Sequence, residues 1–137
     1  VASSAFVDEG TSKHYGYDEI SGNGVTLPSF VLTETIKGLL RQSGINFHEG
    51  PVWSTDAIYR ETPGKVAYYK EKNVLGVEME LSAIYSAAGF RNIEAAGILV
   101  VSDEISALTW KPGFRDDRFQ ETRATACEAL IKICQSL

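Results

Sequence analysis

The chain has 137 residues, of which 44% are hydrophobic and 23% are charged, and its formal net charge is −5. This balance predicts one globular domain with enough apolar material for a core. The acidic charge argues against nucleic acid or an anionic membrane as the main partner. No apolar run approaches the roughly 20 residues of a membrane span, and no signal-peptide pattern opens the chain, so we expect a cytoplasmic protein.

The first part of the chain predicts a strand followed by a long loop. VASSAF, at residues 1–6, reads as a strand that begins without an initiator Met. Residues 8–28 are rich in Gly, Ser, Asp and Tyr, and the segment Gly22-Asn23-Gly24 indicates a turn within them. Neither of the two glycine-rich phosphate-binding patterns, G-x-G-x-x-G and G-x-x-x-x-G-K-[ST], occurs in the sequence. We therefore expect a long loop that is placed to cover a site.

Helical and strand patterns then alternate. Apolar residues recur at helical spacing over residues 28–43, and Gly44 supplies a natural stop. Residues 45–55 show the rough alternation of an extended strand. Residues 63–73 predict a second helix with a proline in its first turn and Thr62 as a candidate cap.

The second half of the chain continues the alternation. VLGVEM, at residues 74–79, predicts a strand, and residues 81–90 predict a helix that is apolar nearly all round and therefore buried. The continuous apolar run IEAAGILVVS, at residues 93–102, predicts a central strand covered on both faces. A final helix is expected over residues 117–136. Strands that alternate with helices predict an α/β fold with a parallel or mixed sheet.

The two cysteines lie on one face of the predicted final helix. Cys127 and Cys134 are seven residues apart, or about 10 Å along the helix axis, which is too far for a disulfide between them. Neither histidine stands at zinc-site spacing from them. We expect buried thiols in a reducing compartment.

Acidic residues follow the predicted strands. Glu78 and Glu80 come at the end of one strand, Asp103 follows the apolar run, and STDAIYR follows the strand at residues 45–55. Ligands of open α/β sheets bind outside the carboxyl ends of the strands, so these side chains are expected to converge on one pocket. Burial favours the protonated form of a carboxylate, which suits general acid chemistry.

Purely structural roles also fit these three positions. Asp103 could simply cap the following segment or end its strand. Glu80 could be an N-terminal helix residue favoured by the helix dipole, and Glu78 a salt-bridge partner.

Four motifs carry a family resemblance. V-E-M-E at residues 77–80, an Ala/Ser-rich helix, and V-V-S-D ending 23 residues after Glu80 resemble the nucleoside phosphorylase superfamily. That superfamily comprises purine nucleoside phosphorylases, uridine phosphorylases and methylthioadenosine-type nucleosidases. S-T-D-A-I-Y at residues 54–59 is similar to the family's S-x-D-x-F-Y segment, and D-E-G-T-S-x-H-Y at residues 8–15 to what precedes it in some members. The resemblance covers essentially the whole chain but only the C-terminal half of a usual member.

The resemblance implies a fold and a reaction. The fold is a three-layer α/β/α sandwich with a mixed central sheet, here lacking the N-terminal strands, with residues 1–137 as the C-terminal part of one domain. The reaction is phosphorolysis of the N-glycosidic bond of a nucleoside in salvage, giving free base and ribose 1-phosphate. Inorganic phosphate is the cosubstrate, and no metal or other cofactor is expected. Because the family's phosphate site lies in the N-terminal half, we expect these residues to be inactive without a missing N-terminal segment. A homo-oligomer, either a dimer or a trimer of dimers, is also implied.

The resemblance also implies residue roles at the sugar and the leaving base. Glu80 would bind the ribose hydroxyls, Met79 would pack against the sugar, and Glu78 would lie near the sugar or base. Asp103 would be the acid for the base, beside Ser102 as a further substrate contact. An acid at this position favours purine nucleosides.

Further base contacts are implied upstream and in the last helix. Ile58 stands where many relatives carry an aromatic residue that stacks on the base, and Tyr59 and Arg60 are neighbouring candidates. Arg123 is aligned with an arginine that assists the acid in some purine enzymes. Two other arginines compete for this role: Arg115 and Arg118.

Three alternatives stay open. The first is a nucleosidase that uses water in place of phosphate. The second is a catalytically silent module that binds or stores nucleosides. The third is a truncated chain with no function of its own.

Overall fold

The computed structural model describes residues 1–18, 22, 24–105 and 107–136. The main sheet has the order β2-β1-β3-β4. Its strands are β1 (Ala2–Asp8), β2 (Val25–Thr26), β3 (Gly50–Thr55) and β4 (Gly76–Glu78). β3 runs parallel to both β1 and β4, whereas β2 is antiparallel to β1. The mixed sheet expected from the sequence is therefore confirmed.

The predicted helices are present. They are α1 (Phe30–Gln42), α2 (Pro63–Glu71), α3 (Leu81–Arg91) and α4 (Asp117–Ser136). Ser29 caps α1 through its hydroxyl, which accepts from the N–H of Leu32, and Thr62 caps α2 as predicted. These local oxygen acceptors fix where each helix begins, because they satisfy N–H groups that have no partner inside the helix.

The sheet is covered on both faces. Successive strand residues point to opposite faces, so Ala5 and Val52 face one way and their neighbours Phe6 and Trp53 the other. Ala5 and Val52 belong to a buried cluster with residues of α3. On the opposite face, Tyr69 of α2 stacks on Trp53 at a centroid distance of 4.4 Å and meets Phe6 edge-on at 5.6 Å. The result is the three-layer α/β/α arrangement.

A second core lies between the first and last helices. Ile36 and Leu40 of α1 pack against Ala129 and Ile133 of α4, and all four side chains are buried. This contact positions α4 from the packing of its apolar stripe rather than from the sheet.

The prediction of a central strand over residues 93–102 is wrong. This run forms no ladder in the main sheet, and Leu99 and Val101 are 41% and 75% exposed. Its backbone is instead anchored at separate points: the carbonyls of Ala95 and Gly97 accept from two different segments. An apolar run specifies an extended strand only where a neighbouring strand pairs with it residue by residue.

Two other elements differ in extent or exposure. The strand expected over residues 45–55 begins only at Gly50. α3 is not buried all round, because Ile84 and Phe90 are 47% and 70% exposed on the side that faces away from the sheet cluster.

The cysteines also differ from expectation. Cys127 and Cys134 are both exposed free thiols, not buried ones. The stripe of α4 that packs on α1 carries Ala129 and Ile133, and the cysteines lie outside it.

The long loop of residues 8–28 contains a 3₁₀ turn at Ser12–Tyr15 and the short β2. The predicted turn at Gly22-Asn23-Gly24 lies partly outside the described residues, in which Gly22 has a positive φ of 76°. Within those residues, no helix is long and apolar enough to cross a bilayer.

Candidate active site

Three parallel strands end side by side and bring two of the predicted segments together. Asp8 of β1 pairs with Thr55 of β3, and Ser54 of β3 pairs with Glu78 of β4. The carboxyl ends of these strands therefore form one edge of the sheet, where α/β proteins bind ligands. This edge places the STD segment beside the VEME segment.

Glu78 holds the N-terminus of α3. Its Oε2 accepts from the backbone N–H of Glu80 at 2.8 Å and of Leu81 at 2.7 Å. Its Oε1 accepts a hydrogen bond from the Ser54 hydroxyl, whose oxygen in turn accepts from the N–H of Ser82 at 2.9 Å. Glu78 and Ser54 together satisfy three N–H groups at the start of the helix, which is a positioning task.

Glu80 is free of that task. It is the N-cap residue of α3, yet its side chain makes no capping hydrogen bond. The side chain is exposed, and among the described residues no donor or cation is bonded to its carboxylate. Met79 beside it is 43% exposed. The free carboxylate of Glu80 can accept hydrogen bonds from two hydroxyls. The exposed apolar side chain of Met79 can pack against the ring that carries those hydroxyls.

The other carboxylates at this edge are bonded within the protein. Asp8 Oδ2 accepts from the Trp53 indole N–H at 2.9 Å and pairs with the Lys65 ammonium at 2.5 Å. Asp56 Oδ2 accepts from the N–H of Gly10 at 3.0 Å. The Oδ2 atoms of both residues are therefore already bonded within the protein.

Glu9 is a buried carboxylate that the sequence analysis did not assign to the site. It accepts from the N–H of Thr11 at 2.5 Å, from the N–H of Ser12 at 3.2 Å and from the Ser82 hydroxyl at 2.8 Å. Burial alone would raise its pKa, but the donors from Ser12, Ser82 and Thr11 outweigh burial and lower the pKa. Glu9 thus ties the loop after β1 to the first turn of α3. A signal was available in the segment D-E-G-T-S-x-H-Y, where hydrogen-bonding residues directly follow Glu9.

Asp103 lies in a separate hairpin. The hairpin pairs β5 (Asp103–Glu104) with β6 (Lys111–Pro112), so Asp103 does not leave the main sheet. Its Oδ1 accepts from the Ser102 hydroxyl at 2.6 Å, and its Oδ2 accepts from the Trp110 indole N–H at 2.7 Å. Both oxygens of the predicted acid therefore have a donor in this structure.

An electrostatic interaction shows what the hairpin faces. Burial raises the pKa of Glu61, and the nearby Asp103 carboxylate raises it further. Glu61 directly follows the 3₁₀ turn Ile58–Arg60. The charge of the predicted acid thus acts on the residue that follows the turn, and the predicted base contacts in that turn are exposed: Ile58, Tyr59 and Arg60.

A cavity of about 780 Å³ opens beside Asp103. Its walls include Ser102 and Asp103 and apolar residues such as Phe47 and Val52. Neither Glu78 nor Glu80 lines this cavity, although Gly76 of the same strand does. The Glu80 carboxylate therefore lies outside the wall of the Asp103 cavity.

Comparison with known proteins identifies the family. The family model described as Phosphorylase superfamily matches residues 1–137. The chain belongs to the phosphorylase superfamily.

The relatives that this superfamily chain resembles include guanosine and purine nucleoside phosphorylases. A guanosine phosphorylase of Halorubrum lacusprofundi is 29% identical over 133 residues, covering 97% of this chain and 54% of the relative. A DeoD-type purine nucleoside phosphorylase of Mycoplasma genitalium is 33% identical over 105 residues, covering 77% and 44%. The chain spans about half the length of these curated relatives.

Solved structures agree on the fold. A uridine phosphorylase of Vibrio fischeri superposes with a TM-score of 0.58 at 32% identity, covering 69% of this chain and 38% of that one. An AMP nucleosidase of Bacteroides thetaiotaomicron superposes with a TM-score of 0.59 at 22% identity, covering 69% and 40%. The second likeness shows the fold alone.

The three candidate arginines of this superfamily chain lie in different surroundings. Arg118 lines the Asp103 cavity, and its guanidinium binds the Asp116 carboxylate through contacts of 2.8 and 3.2 Å. Arg123 lies outside the cavity wall, with its guanidinium 5.8 Å from the centre of the Phe119 ring. Arg115 is exposed and also outside the wall.

Metal-type ligands are not clustered in the part of the chain that the structure describes. Within it, no three His, Cys, Asp or Glu side chains are placed to hold one ion.

Proposed function

We propose that this chain forms the sugar- and base-binding part of a nucleoside phosphorylase. The reaction is cleavage of the N-glycosidic bond of a purine nucleoside by inorganic phosphate, giving free base and ribose 1-phosphate. Membership of the phosphorylase superfamily supports the class of reaction, and the purine and guanosine phosphorylases among the relatives favour a purine. The phosphate site, the use of phosphate without another cofactor, and a homo-oligomeric assembly are parts of this proposal.

The observation that carries the proposal is the division of labour between Glu78 and Glu80. Glu78 uses both oxygens to hold the start of α3, and this leaves Glu80 exposed at the sheet edge with an unpaired carboxylate. Glycosidic cleavage passes through an oxocarbenium-like state, in which hydrogen bonds from the sugar 2-hydroxyl to an acceptor strengthen. In the proposal, Glu80 is that acceptor and Met79 packs against the sugar.

The leaving base is assigned to Asp103. A base departs readily only when protonated or hydrogen-bonded, and one positioned acid contributes roughly 10² to 10⁴ in rate. The proximity of Asp103 to Glu61 supports base contacts from the preceding turn, Ile58–Arg60. Arg118 is favoured over Arg123 as the arginine beside the acid, because it lines the same cavity.

The proposal is tested by nucleoside cleavage in the complete assembly, with inosine, adenosine, guanosine and uridine as substrates and with or without phosphate. We expect phosphate-dependent release of purine base. Asp103→Asn should lower kcat by roughly 10² to 10⁴. Glu80→Gln should lower kcat/KM, because the amide nitrogen cannot accept a hydroxyl hydrogen bond.

Glu71→Gln serves as the control, since it changes an exposed carboxylate on α2 away from the sheet edge. Equal cleavage without phosphate would replace phosphorolysis with hydrolysis. If the wild-type assembly cleaves none of the four nucleosides, the proposed function is wrong.

A further inference from the structure

Trp110 is an exposed aromatic residue attached to the predicted acid. Its indole N–H lies 2.7 Å from Asp103 Oδ2, while 58% of the residue is exposed to solvent. Its ring contact is with Phe114, whose centroid is 6.2 Å away and which is itself 47% exposed. Large aromatic side chains bury most of their surface when they serve a core. Trp110 therefore has little structural role beyond the hydrogen bond to Asp103.

The indole nitrogen lies at the distance from Asp103 that a hydrogen-bonded base nitrogen would have. A base nitrogen bonded to Asp103 must come within about 2.7 to 3.2 Å of a carboxylate oxygen. The indole nitrogen already occupies that distance from Oδ2, and Ser102 occupies Oδ1. Each carboxylate oxygen can accept a further hydrogen bond, so a base that binds Oδ2 lies beside the indole or takes its place.

The sequence leaves a base-stacking role unfilled. Ile58 stands at the position of the family's stacking aromatic, and an isoleucine side chain has no π-face to offer. Trp110 bonds Asp103 from outside the cavity wall, and the ring of Phe114 lies next to it. Stacking of a base on an aromatic ring is worth about 1 to 3 kcal/mol, so its relocation would matter for affinity.

We propose that Trp110 is the base-stacking, specificity-determining residue of this site. Without ligand, its indole N–H is bonded to Asp103. With ligand, Asp103 Oδ2 accepts a hydrogen bond from the base instead, and the face of the indole packs on the plane of the base. Because an indole overlaps a two-ring purine over more area than a one-ring pyrimidine, the stack selects purines. This inference rests on the proposed function, since it assigns the base-binding side of the same site.

The chain offers a direct optical test. Its two tryptophans differ in exposure, since Trp53 is 2% exposed and Trp110 is 58% exposed. Iodide, a quencher that stays in water, therefore reaches Trp110 more readily than Trp53, and in the complete assembly the contribution of Trp110 is the quenching that Trp110→Phe removes. We expect saturating inosine to reduce the iodide quenching of the complete assembly, and ribose 1-phosphate, which has no base, to leave it unchanged.

Substitutions separate stacking from the hydrogen bond. Trp110→Ala should weaken inosine binding by roughly 5- to 100-fold and uridine binding by less, so that the preference for inosine falls. Trp110→Phe keeps a ring without the N–H and should retain most of that preference. Phe90→Ala is the matched control, because Phe90 is a similarly exposed aromatic at the far end of α3.

The outcomes are distinct. Equal inosine and uridine losses in Trp110→Ala, or an inosine affinity equal to that of wild type, would overturn the role of Trp110 and leave the proposed function standing. A Trp110→Phe variant as weak as Trp110→Ala would show that the N–H matters and the stack does not, which also overturns the inference. If the wild-type assembly binds none of the nucleosides, the proposed function fails, and the assignment of Trp110 fails with it.

Discussion

Replacing Glu9 with alanine should destabilise the protein, because buried donors lose their acceptor. The residue is 5% exposed, and it accepts from two backbone N–H groups and from the Ser82 hydroxyl. Ser12 and Ser82 are themselves fully buried, so neither donor can turn to water when the carboxylate is removed.

The magnitude follows from counting the donors left without a partner. A buried donor that loses its acceptor costs about 1 to 3 kcal/mol, and the alanine variant leaves two such donors, on Ser12 and Ser82. The variant also removes the cost of burying a charge, which offsets part of the loss. We therefore expect the free energy of unfolding to fall by about 2 to 3 kcal/mol.

Urea unfolding at pH 7, followed by circular dichroism, measures this loss. Glu71→Ala is the control, because it removes an exposed carboxylate and should change the free energy of unfolding by less than about 0.5 kcal/mol. A Glu9→Ala loss no larger than that of the control would refute the reasoning, since it would mean that the buried donors find other partners.

Acid should erase part of the Glu9 contribution. Its folded-state pKa lies below the ordinary value of 4.5, so the ionised form stabilises the fold above that pH. This stabilisation is lost as the pH falls through the folded-state pKa. The difference in stability between wild type and Glu9→Gln should therefore be full at pH 7 and shrink below about pH 4.5. A difference that stays constant between pH 7 and pH 3 would contradict the assignment.

Two further predictions concern the hairpin and its neighbour. Burial and the Asp103 carboxylate raise the pKa of Glu61, so its ionised form opposes folding at neutral pH. Glu61→Gln should therefore raise the urea concentration at the midpoint of unfolding at pH 7. This gain should vanish well below pH 4.5. A destabilised variant at pH 7 would be inconsistent with this. A Cβ at Gly113 would lie 2.6 Å from the Ser102 carbonyl oxygen, so Gly113→Ala should disturb the hairpin and lower kcat/KM for nucleosides. Gly89→Ala, where a Cβ meets nothing within 4 Å, should instead stabilise α3 by about 0.5 to 1 kcal/mol in urea unfolding. Equal effects of the two glycine substitutions would argue against the steric account.

The sequence predicted correctly those features that depend on neighbouring residues in the chain. The bounds of α4 were predictable, and the cap of α2 at Thr62 was too, because periodicity and capping depend on neighbours in the chain. The apolar run at residues 93–102 misled, since continuous hydrophobicity does not say which neighbour will pair with it. The cysteines misled for a related reason: a helix with apolar residues on more than one side does not show which side meets α1.

The sequence by itself determined the α/β class, the main helices and the family, because all three are recorded in short stretches of adjacent residues. Only the tertiary structure decided which groups each carboxylate bonds. Glu78 and Glu80 are two residues apart in one motif, yet contact with Ser54 of β3 commits the first to the helix and leaves the second free. Buried Glu9 accepts a hydrogen bond from Ser82, which is distant in the sequence, and Asp103 accepts one from Trp110 across a hairpin. Hydrogen-bond partners depend on which strands and loops lie side by side, so packing decided the partners of each carboxylate.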